Sequence, residues 1–224
     1  MNIKAAIFDI DGTVLDTERI YMKSWKIAAE EKGFPMPYEA LAGTRSVSGQ
    51  EAEKIFKHYC GEAFDYKKTW VRRVELAEEM IASAGAENLV KPGVHETFAY
   101  LKEHGIKICA ASMTTAARTY SHLESAGLIN EFDCIFTGDD VKNGKPAPDI
   151  FIKAAEAVGV LPAECVVVED SASGIRAGHA SGAKVLMIPD AIPERPGDSD
   201  FYDAVLDTME KAPEIIENWR SSSN

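Results

Sequence analysis

The sequence predicts an α/β protein, a doubly wound parallel sheet with a small α-helical domain inserted, and three observations predict it. Beyond residue 90, short β-rich apolar runs alternate with stretches of helical periodicity, the pattern that gives a parallel sheet covered by helices. Residues 18 to 88 hold no convincing strand and carry apolar residues at helical spacing. Two of the apolar runs end abruptly in acids, where ligands bind in open α/β sheets.

In order, Lys4 to Phe8 reads as a buried first strand. The helical insertion follows, with spacing visible in Ile20, Trp25, Ile27 and Ala28, then Ile55, Phe56 and Tyr59, then Trp70, Val74, Ala77 and Ile81. Lys91-Pro92-Gly93 marks the return to the core, so residues 1–17 and 89–224 are expected to form the α/β domain and 18–88 a separate helical one. Further strands are predicted at Ile106 to Ala111, Cys134 to Phe136, Cys165 to Val168 and Lys184 to Ile188, with a weaker one at Ala204 to Leu206. The intervening helices are Val94 to Glu103, Ala116 to Ser125, Ile150 to Val158 and Ser173 to Ala180, and Pro213 fits the first turn of a tail helix.

Composition narrows the function. The chain has 224 residues, 46% hydrophobic and 27% charged, enough to bury a core without staples. Its 36 acidic against 24 basic residues leave a formal charge of −12, which argues against broad contact with nucleic acid or anionic lipid. Any phosphate-bearing ligand must therefore meet locally placed cations. Cys60, Cys109, Cys134 and Cys165 show no Cys-x-x-Cys spacing and suit a reducing compartment. The apolar Ala5 to Phe8 is too short for a signal-peptide core, and no run approaches membrane-spanning length, so a cytoplasmic location is expected.

The acids carry the chemistry. Asp9 and Asp11 end the first strand, and Gly12 implies a turn that leaves one acid on the strand tip and the other on a loop. Glu169-Asp170 ends the strongest apolar run, Cys165 to Val168. If these tips meet, four carboxylates repel unless a cation lies among them, and oxygen ligands beside a phosphate suit Mg²⁺. The alternative is two ordinary strand terminators far apart in space. Ser112 follows the strand ending at Ala111, where its hydroxyl and the nearby amides could face an anion at a helix N-terminus, or simply cap that helix. Lys145, in Gly144-Lys145-Pro146-Ala147-Pro148-Asp149, is a cation set in a proline-stiffened loop; this is no phosphate-binding Walker loop, because residue 139 is Asp and residue 146 is Pro.

Taken in order, Asp9-x-Asp11-Gly12-Thr13-Val14-Leu15-Asp16-Thr17-Glu18, Ser112, the Gly-Lys-Pro loop and Glu169-Asp170-Ser171-x-x-Gly174-Ile175 resemble the haloacid dehalogenase superfamily. The resemblance is closest to its phosphatase and β-phosphoglucomutase-like group, with a helical cap inserted after the first motif. It implies that Asp9 is a nucleophile forming an aspartyl-phosphate and that Asp11 is the general acid and base. It implies Mg²⁺ held by Asp9, the backbone carbonyl of Asp11 and Asp170, with Glu169 as a further ligand or supporting partner. Ser112 and Lys145 would bind the transferring phosphoryl group. In the cap, Tyr21, Trp25 and Arg45 are the candidates for substrate contact, although Trp25 equally suits the cap's own core.

Departures from the family pattern narrow the reaction. Mutases of the group carry a cap histidine where this chain has Tyr21, and no histidine occurs before His58. Phosphonoacetaldehyde hydrolases need a cap lysine and lack the second acid, and dehalogenases replace that acid, which here is Asp11. The expectation is a Mg²⁺-dependent phosphatase for a small phosphorylated metabolite such as a sugar phosphate, a monomer or weak homodimer. A phosphosugar mutase is the alternative. A phospho-acceptor domain is a weaker one, since it would need neither the insertion nor Asp11.

Overall fold

The computed structural model describes residues 2–44, 47, 49–190 and 197–221. Its contacts divide the chain into two compact units, one of Met1–Asp16 with Ala86–Asn224 and one of Thr17–Gly85.

The larger unit is built on a sheet whose described strands are six and parallel. They are β1 (Ala5–Phe8), β2 (Lys107–Ala111), β3 (Cys134–Phe136), β4 (Cys165–Glu169), β5 (Lys184–Met187) and β6 (Ala204–Val205), in the order β3-β2-β1-β4-β5-β6. The central strands are short apolar runs because both faces of a parallel sheet are covered, and every residue of β1 and β4 is buried. From β1 the chain winds outward through β2 and β3, then crosses to β4 on the other side of β1. That reversal places the switch point, where α/β sheets bind ligands, beside β1. Phe8 pairs with both Ala110 and Val168, so Asp9, Ala111 and Glu169 come level at the carboxyl edge.

The smaller unit contains α1 (Thr17–Glu30), α2 (Tyr38–Gly43), α3 (Gly49–Cys60) and α4 (Tyr66–Ala84). Its core gathers Ala29, Met36, Leu41, Phe56 and Phe64, against which Trp25 and Tyr66 pack. The Asp65 side chain starts α4 by accepting from Lys68 N at 3.1 Å. The expected apolar faces are partly wrong here. The buried side of α1 is Thr17, Tyr21, Ser24, Ala28 and Ala29, while Ile20 and Ile27 are only half-buried. Tyr59 and Trp70 are exposed. Helix α1 packs along α4, and small residues let two helices approach closely, a demand that apolar spacing does not reveal.

The sheet unit adds α5 (Ala86–Leu89), α6 (Val94–Glu103), α7 (Ala116–Ser125), α8 (Asp149–Ala157), α9 (Ala172–Ser181) and α10 (Ala212–Ser221). The boundary expected at residue 88 falls at 85. Leu89 is fully buried, its carbonyl accepts from Asp16 N at 2.8 Å, and Val90 bridges to Leu15, which ties α5 to the sheet unit. Strand β4 runs one residue further than its apolar run, into Glu169. No described helix is long and apolar enough to cross a membrane.

Candidate active site

The site grows from the end of β1. Asp9 N still donates to Val168 O at 3.0 Å, after which the chain leaves the sheet in a turn closed by Gly12 N to Leu15 O at 2.8 Å and Val14 N to Ile10 O at 3.1 Å. Gly12 has φ 93°, and a Cβ there would stand 2.5 Å from Asp170 Oδ2, so both conformation and space require glycine. Lys91 Nζ donates to the Gly12 carbonyl at 2.6 Å and pairs with Asp190 at 3.0 Å, pinning the turn from the far side.

Lys145 reaches the end of β1 from the loop before α8. Its side chain is only 3% exposed, and its ammonium donates to Asp9 Oδ1 at 2.5 Å, Glu169 Oε1 at 2.6 Å and Ala111 O at 2.8 Å. Those three bonds match the three protons of an ammonium. Burial alone would push this lysine down, but Asp9 and Glu169 outweigh it and hold the group above its ordinary value, so it stays charged.

Glu169 is fully buried and held on both oxygens. Oε2 accepts from Asp170 N at 3.0 Å, Ser171 N at 2.9 Å and Ser171 Oγ at 2.9 Å, while Oε1 faces Lys145. In this arrangement one of its oxygens meets the lysine and the other the Asp170–Ser171 turn. Gly174 in the first turn of α9 makes room, since a Cβ there would fall 1.8 Å from the Glu169 carboxyl carbon. Asp170 stands beside the Gly12 turn and accepts from Thr13 Oγ1 at 3.1 Å.

Asp11 turns toward β2, where its Oδ2 accepts from Thr114 Oγ1 at 2.8 Å and lies 3.4 Å from Ser112 Oγ. Ser112 is buried at the tip of β2 and accepts from Thr114 N at 3.0 Å. It does not cap α7, which begins at Ala116 after Thr115, and the Ala116 amide donates to Asp139 at 2.8 Å. Asp9, Asp11, Ser112, Lys145, Glu169 and Asp170 thus gather at adjoining strand ends of one unit. Tyr21 and Trp25 lie in the helical unit, Tyr21 buried with the Arg73 guanidinium 4.0 Å over its ring and Trp25 stacked among Phe56 and Tyr66. Arg45 lies outside the described residues. Lys91, Thr114 and His122 also belong to the surroundings of the site and carry no mark in the sequence, because their partners there are distant in sequence.

No three His, Cys, Asp or Glu side chains among the described residues converge as a ready-made metal cluster. The site nonetheless fits a hard divalent ion. Burial pushes the Asp9 carboxyl up to about 8 despite the pull of Lys145, with Glu169 and Asp11 adding to the rise. More negative charge is buried than one ammonium balances. Asp9 and Asp170, 8% and 9% exposed, supply carboxylate oxygens from adjacent strands. Two carboxylates completed by carbonyl, water and phosphate oxygens are what Mg²⁺ ordinarily takes.

The family model for haloacid dehalogenase-like hydrolases matches residues 3–182. The chain is 32% identical over 182 residues to the phosphorylated carbohydrates phosphatase of Thermotoga maritima, covering 80% of this chain and 82% of that one. It is 30% identical over 184 residues to the β-phosphoglucomutase of Bacillus subtilis, covering 80% of each. The crystal structure of CbbY from Rhodobacter sphaeroides with phosphate shares the fold, with a TM-score of 0.73 at 24% identity over 93% of this chain and 96% of that one. An acid-bearing strand end, a lysine locked between two acids and a helical insertion accord with these likenesses, and the chain belongs to the haloacid dehalogenase-like hydrolases, in their phosphatase group.

Proposed function

We propose that this enzyme is a Mg²⁺-dependent phosphatase that hydrolyses a small phosphate monoester, a sugar phosphate or similar metabolite, through an aspartyl-phosphate on Asp9. The observation that carries the reading is the buried Asp9–Lys145–Glu169 arrangement with Asp11 on the adjoining turn. Lys145 binds Asp9 Oδ1, pulls that carboxyl toward its ionised form against the burial that raises it, and aims it, leaving Oδ2 to attack phosphorus. As the Asp9 oxygen–phosphorus bond forms, the ester oxygen leaves and takes a proton from Asp11. Asp11 then removes a proton from the water that hydrolyses the acyl phosphate. Ser112 and Lys145 each redirect a hydrogen bond to the phosphoryl oxygens as these gain charge. Asp9, Asp170 and the Asp11 backbone carbonyl are the groups that would hold Mg²⁺, whose charge when bound offsets repulsion between Asp9 and the phosphate. Glu169 supports the centre through Lys145. Substrate choice falls to the helical Thr17–Gly85 unit, the insertion that follows the first motif.

A screen of phosphorylated metabolites for released phosphate tests this reading, with an Asp9→Asn control that should be silent on every compound. The likeness to β-phosphoglucomutase favours one second reading, transfer of the phosphoryl group to another sugar hydroxyl. Incubation with a sugar 1-phosphate separates the two, since a mutase yields the 6-phosphate isomer and a phosphatase yields free phosphate.

A further inference from the structure

Asp11 sits on a turn outside the sheet, yet its carboxylate is gripped by a second element. Thr114 Oγ1 donates to Oδ2 at 2.8 Å, and Ser112 Oγ approaches the same oxygen at 3.4 Å. The two hydroxyl residues are themselves locked together, because Thr114 N donates to Ser112 Oγ at 3.0 Å. Below them the buried face of α7 is partly polar, with Thr119 and His122 beside Leu123, and His122 Nδ1 lies 3.8 Å from Asp11 Oδ1. Both polar residues of that face are buried where apolar ones would be cheaper to bury, and His122 faces the Asp11 carboxylate.

We propose that Thr114 is a positioning residue for proton transfer, holding Asp11 Oδ2 so that the carboxyl keeps the orientation from which it delivers its proton to the leaving oxygen. The inference rests on the reading of Asp11 as the general acid. In the first step the Asp9 oxygen–phosphorus bond forms, the ester phosphorus–oxygen bond breaks and the Asp11 carboxyl proton passes to the departing oxygen. The carboxylate left on Asp11 keeps the Thr114 hydrogen bond, now charge-assisted and therefore stronger, which favours the transfer. A donor fixed at one oxygen also stops the carboxyl from rotating out of hydrogen-bond reach.

The experiment measures kcat/KM with saturating Mg²⁺ for substituted phenyl phosphates, from 4-nitro to 4-methoxy, in wild type, Thr114→Val, Thr114→Ala, Thr114→Ser and Asp11→Asn. Poor leaving groups need the acid and 4-nitrophenol scarcely does. Thr114→Val and Thr114→Ala should therefore react nearly normally with 4-nitrophenyl phosphate and lose roughly ten- to a hundred-fold with the 4-methoxy ester, the worth of a hydrogen bond to a charged group. Thr114→Ser keeps the donor and should follow wild type. Asp11→Asn should show the same leaving-group dependence, more steeply. A Thr114→Val series parallel to wild type, whether unchanged or lowered by one common factor, overturns the positioning role while Asp11→Asn remains steep. A flat Asp11→Asn series instead overturns the general-acid reading and this inference with it.

Discussion

Asp9, Lys145 and Glu169 work as one unit because each is buried and each is answered by a charge of the opposite sign. Replacing Asp9 by Asn removes the proposed nucleophile; phosphate release should fall by at least about a thousand-fold while circular dichroism stays native. Glu169→Ala strands the buried ammonium with one acid and should cost on the order of 3 kcal/mol in denaturant unfolding, as well as most of the activity. Gly174→Ala tests the same contact indirectly. Its new methyl would stand where the Glu169 carboxyl now lies, so the carboxyl must move and Lys145 with it. A loss of about 1–3 kcal/mol together with a fall in kcat is expected, and unchanged kcat would show that Glu169 does not govern the lysine. The charges of Asp9 and Glu169 were visible in the sequence as strand-end acids. That Glu169 serves the lysine was not, because its partners are backbone amides, a serine and a side chain from a distant loop.

Among the elements, β2 and β3 show how a short edge is fastened. Asp133, just before β3, accepts from Lys107 Nζ at 2.6 Å and from Ile108 N at 2.9 Å. Burial pushes its carboxyl up, but these two donors outweigh it and hold it below the usual carboxylate value of 3.8. A depressed folded value means that the stabilisation is complete above about pH 4 and fades as pH falls through the lower folded pKa. Thermal melts between about pH 2 and 5 should therefore fall less steeply for Asp133→Asn than for wild type, and parallel curves would remove the linkage. Lys184 and Asp203 repeat the device between β5 and the segment before β6. Periodicity found these strands because a buried parallel strand is a continuous apolar run. It misplaced the helical faces of the insertion, where α1 buries Tyr21, Ser24 and Ala28 and leaves Ile20 half-buried. Close packing along α4 selects for size there, and spacing alone does not report size.

For the whole molecule, a net charge of −12 stands against a reaction with a phosphate dianion. Chelation should abolish turnover, Mg²⁺ should restore it, and saturating Mg²⁺ should raise the melting temperature, because an ion held only by the folded chain stabilises that state. Activity indifferent to EDTA would remove the metal from the mechanism. By itself the sequence determined the alternation of strands and helices, the strand-free insertion and the acids at strand ends, all of which depend on neighbours a few positions apart. Only the tertiary structure decided that Lys145 stands between Asp9 and Glu169, that Thr114 grips Asp11, that Lys91 pins the Gly12 carbonyl and that α5 belongs with the sheet. Each of those is a contact between segments brought together by the winding of the sheet around β1. Local pattern records which surface an element buries, whereas the partner across that surface is chosen by topology.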